Sequence, residues 1–418
     1  MSTNKNKITK RIVYSVELTL DAPLCVSSGE KNYTDTDVQR DFDGNPFVPG
    51  TSIAGAIRNY FENVKGDVAV FGTEGSDSRM SSIYFSDFKF VTTPKVDIRD
   101  GVKLENKVAK DTGKYDMEII DTSAKGILEI EVIQRENDTV TGDQKENMIK
   151  EALTAIHSGD VRFGANKNRG FGKMLVVAVK RGEFTAENKA DWLSYCNGEN
   201  VLKEYKEAEW KTDIENVFVT FSYALKLDGG ISIRKYSMTP DTPDYTHISS
   251  ANKPIIPGTS LNGAIRSRAK LILEELGYST EKSAVTLDEW FGYVEEKTRE
   301  AKQSEIIINE SVILGGEDLD ITRVKVNRFA ASAVESALYR ERSHFGGTTQ
   351  IEVKIRKNHR DCDAMCGLML LVLKDLANGY LAVGGQTAIG RGIFKGDVDL
   401  KNESRYLLAL KQFVEGAK

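Results

Sequence analysis

The sequence predicts an α+β protein built from two ferredoxin-like or RRM-like units in tandem, each with a long charged insertion and a glycine-rich loop near its end. Three observations predict it. The phrase PGTSIAGAIR at Pro49 returns as PGTSLNGAIR at Pro257, the strand and helix signals around it recur in the same order, and 418 residues exceed one ordinary core. A domain takes roughly 100–200 residues. Hydrophobic residues at 40% and charged residues at 28% leave apolar surface for two cores and do not fit a disordered chain.

Each unit opens on an alternating strand, RIVYSVELTL or NVFVTFSYALKL, whose period of two suits a half-buried sheet. A polar loop leads to a proline-anchored segment, NPFVPGTS or KPIIPGTS, and then to a helix. Ile53, Ala56, Ile57, Tyr60 and Phe61 share one helical face in the first unit; Leu261, Ala264, Ile265 and Arg268 keep that register in the second, with the apolar side resuming at Leu271 and Ile272. A Phe-Gly pair follows (Phe71-Gly72, Phe291-Gly292), then a short strand, SIYFSD or EIIINES. Next come the charged insertion, a strand (ILEIEVI, TQIEVKI), a helix (ENMIKEALTAI, DAMCGLMLLVLKDL), the glycine-rich turn and a last strand. The first unit is assigned to residues 1–185 and the second to 213–418; the polar segment 186–212 reads as a linker, too long for a tight turn.

Composition narrows the function classes. No apolar run is long enough to span a bilayer, and MSTNKNKITKR lacks the apolar stretch of a signal peptide, so a cytoplasmic protein without a membrane partner is expected. Four cysteines, Cys25, Cys196, Cys362 and Cys366, are too scattered for a disulfide framework. His359, Cys362 and Cys366 are three candidate metal ligands, but no second pair lies near them and a structural zinc site normally takes four. A formal charge of −5 argues against nonspecific coating of nucleic acid while leaving room for a local basic groove.

In PGTS the proline and glycine end the incoming strand, and Thr51 or Ser52, like Thr259 or Ser260, suits the N-cap. Free N–H groups at such a helix start make an anion site, with Arg58 and Arg266 about two turns on. For a single copy a capped core helix with a solvated arginine is the favoured reading, because capping signatures are common. The glycine loops add to the signal: FGANKNRGFGKM places Lys167, Arg169, Gly170 and Lys173 together, and VGGQTAIGRGIFKG surrounds Arg391 with glycines. Glycine frees main-chain N–H groups for phosphate and the interleaved cations neutralise it. Neither loop has the spacing of a Walker or dinucleotide motif, so no nucleotide cofactor is expected.

These residues together resemble the RAMP superfamily of CRISPR-associated proteins, ferredoxin-like folds with a glycine-rich loop of the G-x-x-x-x-R-G-x-G type. NPFVPGTSIAGAIR, VKLENKVAKDTGK and GANKNRGFGK look most like the backbone subunit of type III effector complexes over residues 8–182. The second unit keeps the PGTS phrase, the Phe-Gly pair, RVKVNR and a glycine loop, so the whole chain resembles a fusion of two such subunits of type III-D-like kind. The resemblance implies that each unit grips a segment of guide RNA (crRNA) and that each insertion is a thumb-like hairpin wedged into the guide–target duplex, with Lys103, Lys107 and Lys110 in one and Arg323, Lys325 and Arg328 in the other. Pairing with the guide would supply sequence specificity, so contacts to the sugar–phosphate backbone suffice. A solvated charged hairpin is the plain alternative. Implied partners are crRNA, target RNA, a large polymerase/cyclase-like subunit, other RAMP subunits and a small subunit.

The same family cuts target RNA at an aspartate ahead of the proline-anchored segment, in the pattern D-x-P-V-I-R-D. DTDVQRD places Asp35 at that position, and Asp37 stands where the family often has proline, able to share or take over the role. A lone carboxylate serves as general base toward a ribose 2′-OH or holds a divalent cation; the resemblance implies a divalent metal, with Mg²⁺ the expected ion, and a cyclic phosphate product. Without the resemblance the loop reads as solvated acidic surface. In the second unit, counting back from Pro254 as from Pro46 sets Pro243 opposite Asp35; a one-residue gap instead selects Asp244, with Asp241 three residues earlier and His247 nearby, and an inactive site is equally open.

The expected activity is therefore an endoribonuclease acting on guide-bound target RNA. One alternative is a scaffold that binds crRNA without cutting. A guide-processing endonuclease is disfavoured because neither PGTS helix contains histidine, and a small-molecule enzyme because no convergent His, Cys or carboxylate cluster is apparent.

Overall fold

The structure is a computed structural model that describes every residue except 1–5, 67, 74–78, 106–107, 199–204, 237–241, 296–299, 400–401 and 417–418, and, for side chains, also 105, 108–112 and 336. Its two compact units are Met1–Lys167 with Phe171–Asn216, and Asn168–Gly170 with Val217–Lys418. No described helix is long and apolar enough to cross a membrane.

In the first unit β1 (Ile8–Leu20), β2 (Phe47–Val48), α1 (Gly50–Val64), β3 (Ile83–Phe85) and β4 (Phe88–Phe90) precede a hairpin of β5 (Val96–Glu105) and β6 (Val108–Ile120). β7 (Lys125–Arg135), α2 (Gly142–Ser158), β8 (Met174–Thr185), α3 (Lys189–Cys196) and β9 (Lys206–Glu207) follow. The sheet runs β2-β4-β7-β1-β8-β9, with β3 also on β7. Taking β3 and β4 as the second strand, the order β8-β1-β7-β4 is the 4-1-3-2 antiparallel arrangement of a ferredoxin-like unit. Ile53, Ile57 and Phe61 of α1 and Ile149, Ala152 and Ile156 of α2 bury against Val16, Leu18, Leu128 and Ile130 of the sheet. Thr141 caps α2 in a reciprocal capping box with Gln144.

The segment 186–212, read from its polarity as a linker, carries α3 and β9, and β9 pairs with β8. Ala208 and Trp210 pack on the first core, so a few apolar residues in a polar stretch suffice to dock it.

The second unit comprises β10 (Phe218–Asp228), β11 (Gly230–Ile231), β12 (Arg234–Tyr236), β13 (Tyr245–His247), β14 (Ser249–Ser250), β15 (Lys253–Ile256), α4 (Gly258–Glu275), α5 (Thr280–Phe291), β16 (Tyr293–Val294) and β17 (Ala301–Lys302). β18 (Ile306–Ile308), β19 (Ser311–Leu314), the hairpin of β20 (Glu317–Asn327) and β21 (Ser332–Phe345), β22 (Thr348–Arg356), α6 (Cys362–Ala377), β23 (Ile393–Lys395) and α7 (Glu403–Gly416) complete it. The order β23-β10-β22-β19 repeats the 4-1-3-2 arrangement. Leu261, Ile265, Ala269, Ile272 and Leu273 form the buried face of α4, while Leu271, expected on that face, is exposed because it falls on the opposite side of the turn. The second hairpin belongs to a further sheet, β11-β21-β13-β12 with β20 on β21, in which β13 runs parallel to β21.

Candidate functional site

The PGTS helices start two or three residues earlier than their sequence suggests. Pro49 and Pro257 occupy the N-cap positions, and neither helix has a side-chain cap, so Thr51, Ser52, Thr259 and Ser260 lie in the first turn. Glycine at the first helical position is the reason: a Cβ on Gly50 would lie 2.5 Å from the Phe85 carbonyl oxygen. That close approach lets Asp87 accept the Gly50 N–H at 2.8 Å, while the Ser52 and Ile53 N–H groups bond to the Pro49 carbonyl. The expected anion site at α1 is thus largely taken by a carboxylate of the protein itself. Thr51 remains exposed and Ser52 half-exposed.

In the aspartate loop the two candidate carboxylates have different roles. Asp37 is buried and accepts the main-chain N–H groups of Asn32, Tyr33 and Thr34 and the Thr34 hydroxyl. Burial opposes its charge, but these donors outweigh it and hold the carboxyl at about 2. Its oxygens are committed to shaping the turn. Asp35 faces outward, with its side chain 51% exposed. Its N–H donates to Asp116 Oδ1 at 2.8 Å, and the Asp116 N–H donates back to Asp35 Oδ2 at 3.2 Å.

Two residues further along β6, buried Glu118 secures the rest of the loop. Its carboxylate accepts the Val38 N–H and both terminal nitrogens of Arg40, each at 3.0 Å, and its own N–H donates to the Thr36 carbonyl. The fork of a guanidinium on a carboxylate fixes direction as well as distance. Sequence reading misses Asp116 and Glu118, which lie some eighty residues from the loop they hold.

The second unit repeats the bond that holds Asp35. The Asp244 N–H donates to the Arg340 carbonyl at 2.9 Å, and the Arg340 N–H donates to Asp244 Oδ2 at 2.7 Å. Asp244, exposed, is therefore the residue bonded to the return strand of its hairpin as Asp35 is, and not Pro243. Asp241 lies outside the described residues. His247 is buried; its Nδ1 accepts the Ile233 N–H, and burial, reinforced by charge on His344 whose ring centroid is 6.1 Å away, pushes it down to about 4. It is a neutral internal residue and does not face solvent with Asp244.

The glycine loops match bond for bond. Phe163 and Val383 donate N–H to Gly172 and Gly392; Gly172 and Gly392 donate to Pro23 and Gly230; Ala165 and Gly385 donate to Cys25 and Ser232. The residue at the left-handed turn is Asn166 in one and Gln386 in the other. This pairing sets Arg391 opposite Phe171, with Ile389 in the place of Arg169. The guanidinium–ring stack is correspondingly exchanged: Arg99 of β5 lies 5.4 Å from the Phe171 ring, and Arg391 lies 4.4 Å from the ring of Phe345 on β21. In both units an Arg–Phe stack joins the hairpin base to the glycine loop.

Several predicted cations already have partners. Arg58 pairs with Glu62, Lys173 with Asp21, Arg266 with Asp288 and Arg323 with buried Glu341, which also accepts Gln386. The pairs of Arg58, Lys173 and Arg266 are exposed or partly exposed and weak enough to exchange for phosphate, whereas Arg323 is held by a fully buried carboxylate. Lys103, Lys167, Lys325 and Arg328 are exposed, Arg169 is half-exposed and Gly170 is buried. Lys107 lies outside the described residues, as does the Lys110 side chain. Cys362 and Cys366 are buried in α6, and no cluster of three or more metal-ligating side chains occurs among the described residues. Mg²⁺ commonly uses one or two carboxylates plus phosphate and water; Asp35 Oδ1 and Asp116 Oδ2 lie outside their mutual bonds and would be the oxygens to hold it, with the Lys31 ammonium 4.0 Å from Asp35 Oδ1 as the competing charge.

A family model described as the RAMP superfamily matches residues 17–175 and again 241–395. No curated protein matches the chain. The two matches fall on the two ferredoxin-like arrangements and together cover most of the sequence: the chain belongs to the RAMP superfamily, as a tandem of two RAMP domains.

Proposed function

We propose that this CRISPR-associated RNA-binding protein is a double backbone subunit of a type III interference complex, holding two consecutive segments of crRNA and cutting complementary target RNA at Asp35 and at Asp244. The observation that carries the reading is the repeated bond: in each unit an exposed aspartate is tied through its carboxylate to a main-chain N–H of the hairpin's return strand. The acid is thereby set beside the element that would enter the guide–target duplex.

In the proposed reaction the Asp35 carboxylate takes the proton of a ribose 2′-OH. The 2′ oxygen bonds to the adjacent phosphorus as the bond to the 5′ oxygen breaks, leaving a cyclic phosphate on one fragment and, after protonation from water, a hydroxyl on the other. A divalent metal, expected to be Mg²⁺, would neutralise phosphate charge when bound. Asp37 keeps the loop shaped, Glu118 and Arg40 hold its far side, and the exposed cations of the hairpins and glycine loops supply backbone contacts. Crossing partners are the crRNA, target RNA, the large polymerase/cyclase-like subunit, other RAMP subunits and a small subunit.

The test is to assemble the complex with guide RNA and map cuts in labelled complementary RNA with Mg²⁺. Asp35→Ala is expected to abolish one cut and Asp244→Ala another, with target still bound. An unchanged pattern in both variants would make the chain a non-catalytic crRNA scaffold.

A further inference from the structure

We propose that the second unit carries a stacking site for one unpaired nucleobase, formed by Tyr236, Tyr245 and Tyr339 with Arg234. The inference rests on the reading of the chain as an RNA-binding subunit and names a contact that reading does not require.

Strand register puts these side chains on one face. Tyr236 is opposite Tyr245, Tyr245 is opposite Glu341, and Tyr339, two residues before Glu341, shares its side of β21. Arg323 faces Tyr339 across the hairpin and lies on the same side. The rings touch in sequence: the Tyr236 and Tyr245 centroids are 6.1 Å apart at 70°, and those of Tyr245 and Tyr339 are 5.9 Å apart at 30°. The Arg234 guanidinium sits 4.0 Å from the Tyr245 ring centroid. On the opposite face, Asp320 and Arg342 form a bidentate ion pair, so the aromatic character is confined to one side.

Cross-strand aromatic pairs stabilise sheets, which accounts for buried Tyr245. It does not account for Tyr236, which lies on the outermost strand with 60% of its surface exposed. A flat ring braced by a second ring and flanked by arginine is what proteins present to single-stranded RNA: the base stacks, the cation meets the backbone, and no particular base is required. Position supports the same occupant. Asp244 directly precedes Tyr245, so a base held on this face would lie one residue along the chain from the proposed catalytic acid. At the place in the first unit that corresponds to Tyr339, Tyr115 lies against its own hairpin over Gly101.

The test uses the full chain and short single-stranded RNAs carrying 2-aminopurine at successive positions, reading anisotropy for binding and base fluorescence for stacking. Quenching is expected with wild type and Tyr236→Phe, and loss of quenching with about tenfold weaker binding for Tyr236→Ala and Tyr236→Leu. Thermal melting of each variant checks that the exposed edge position leaves the fold intact. RNA binding and quenching that do not change in Tyr236→Ala, or Tyr236→Leu behaving as wild type, would overturn the stacking site and leave the RNA-binding reading standing. Absence of any RNA binding by the wild-type chain would overturn both.

Discussion

Asp244 and Arg340 are bonded to each other twice, amide to carbonyl at 2.9 Å and amide to carboxylate at 2.7 Å, and the second of these is the bond that Asp35 makes with Asp116. The two units therefore present equivalent acids from non-equivalent sequence positions. Asp35→Asn and Asp244→Asn should each remove one cut while retaining the amide-compatible acceptor, so guide and target affinity should stay within about twofold of wild type. Gel mapping of the product ends, with binding measured separately, checks this.

Glu118 should behave as a positioning residue for the first cut. Glu118→Gln removes the charge under Arg40 but keeps an acceptor for the Val38 N–H, at a cost of about 1–3 kcal/mol. The cut assigned to Asp35 should slow, the cut assigned to Asp244 should not, and target affinity should hold. Equal slowing of both cuts would contradict it.

Asp37 links acidity to the loop. Its folded value, about 2, lies below the ordinary carboxylate value of about 3.9. The stability it adds is therefore complete above about pH 4 and is lost as pH falls toward 2. Denaturation of wild type and Asp37→Asn across this range should show a gap that closes on acidification; a gap independent of pH would refute the assignment.

His247 has the opposite chemistry but the same direction with pH. Its folded value is depressed to about 4 from about 6.5, so the unfolded chain takes up the proton first. Stability is complete above about pH 6.5 and falls as pH drops through the window to 4, by on the order of 3 kcal/mol. His247→Asn keeps an acceptor for the Ile233 N–H and does not titrate, so the difference between the two proteins should change sign or shrink within that window in urea titrations.

The glycine loops separate two requirements. A Cβ on Gly172 or Gly392 would lie 1.9 Å from the carbonyl oxygen of Phe163 or Val383, at φ of +76° and +72°. Alanine at either position should cost about 3 kcal/mol or more. Gly390 has φ +80° with no atom near its missing Cβ, and Gly390→Ala should cost about 1 kcal/mol. Thermal melts of the three variants check the ranking.

Sequence by itself determined the tandem and the two sheet-and-helix cores. Those are local signals: Ile53, Ile57 and Phe61 recur at helical spacing, strand residues alternate, and PGTS is repeated word for word. Tertiary structure alone decided that Asp87 occupies the start of α1, that Asp37 shapes a turn, that Asp244 and not Pro243 matches Asp35, and that Arg391 stands where the first unit has Phe171. Each depends on which main-chain N–H or ring a distant strand brings within reach. A one-residue shift of register exchanges such partners while leaving the hydrophobic pattern almost unchanged, so periodicity carries no record of them.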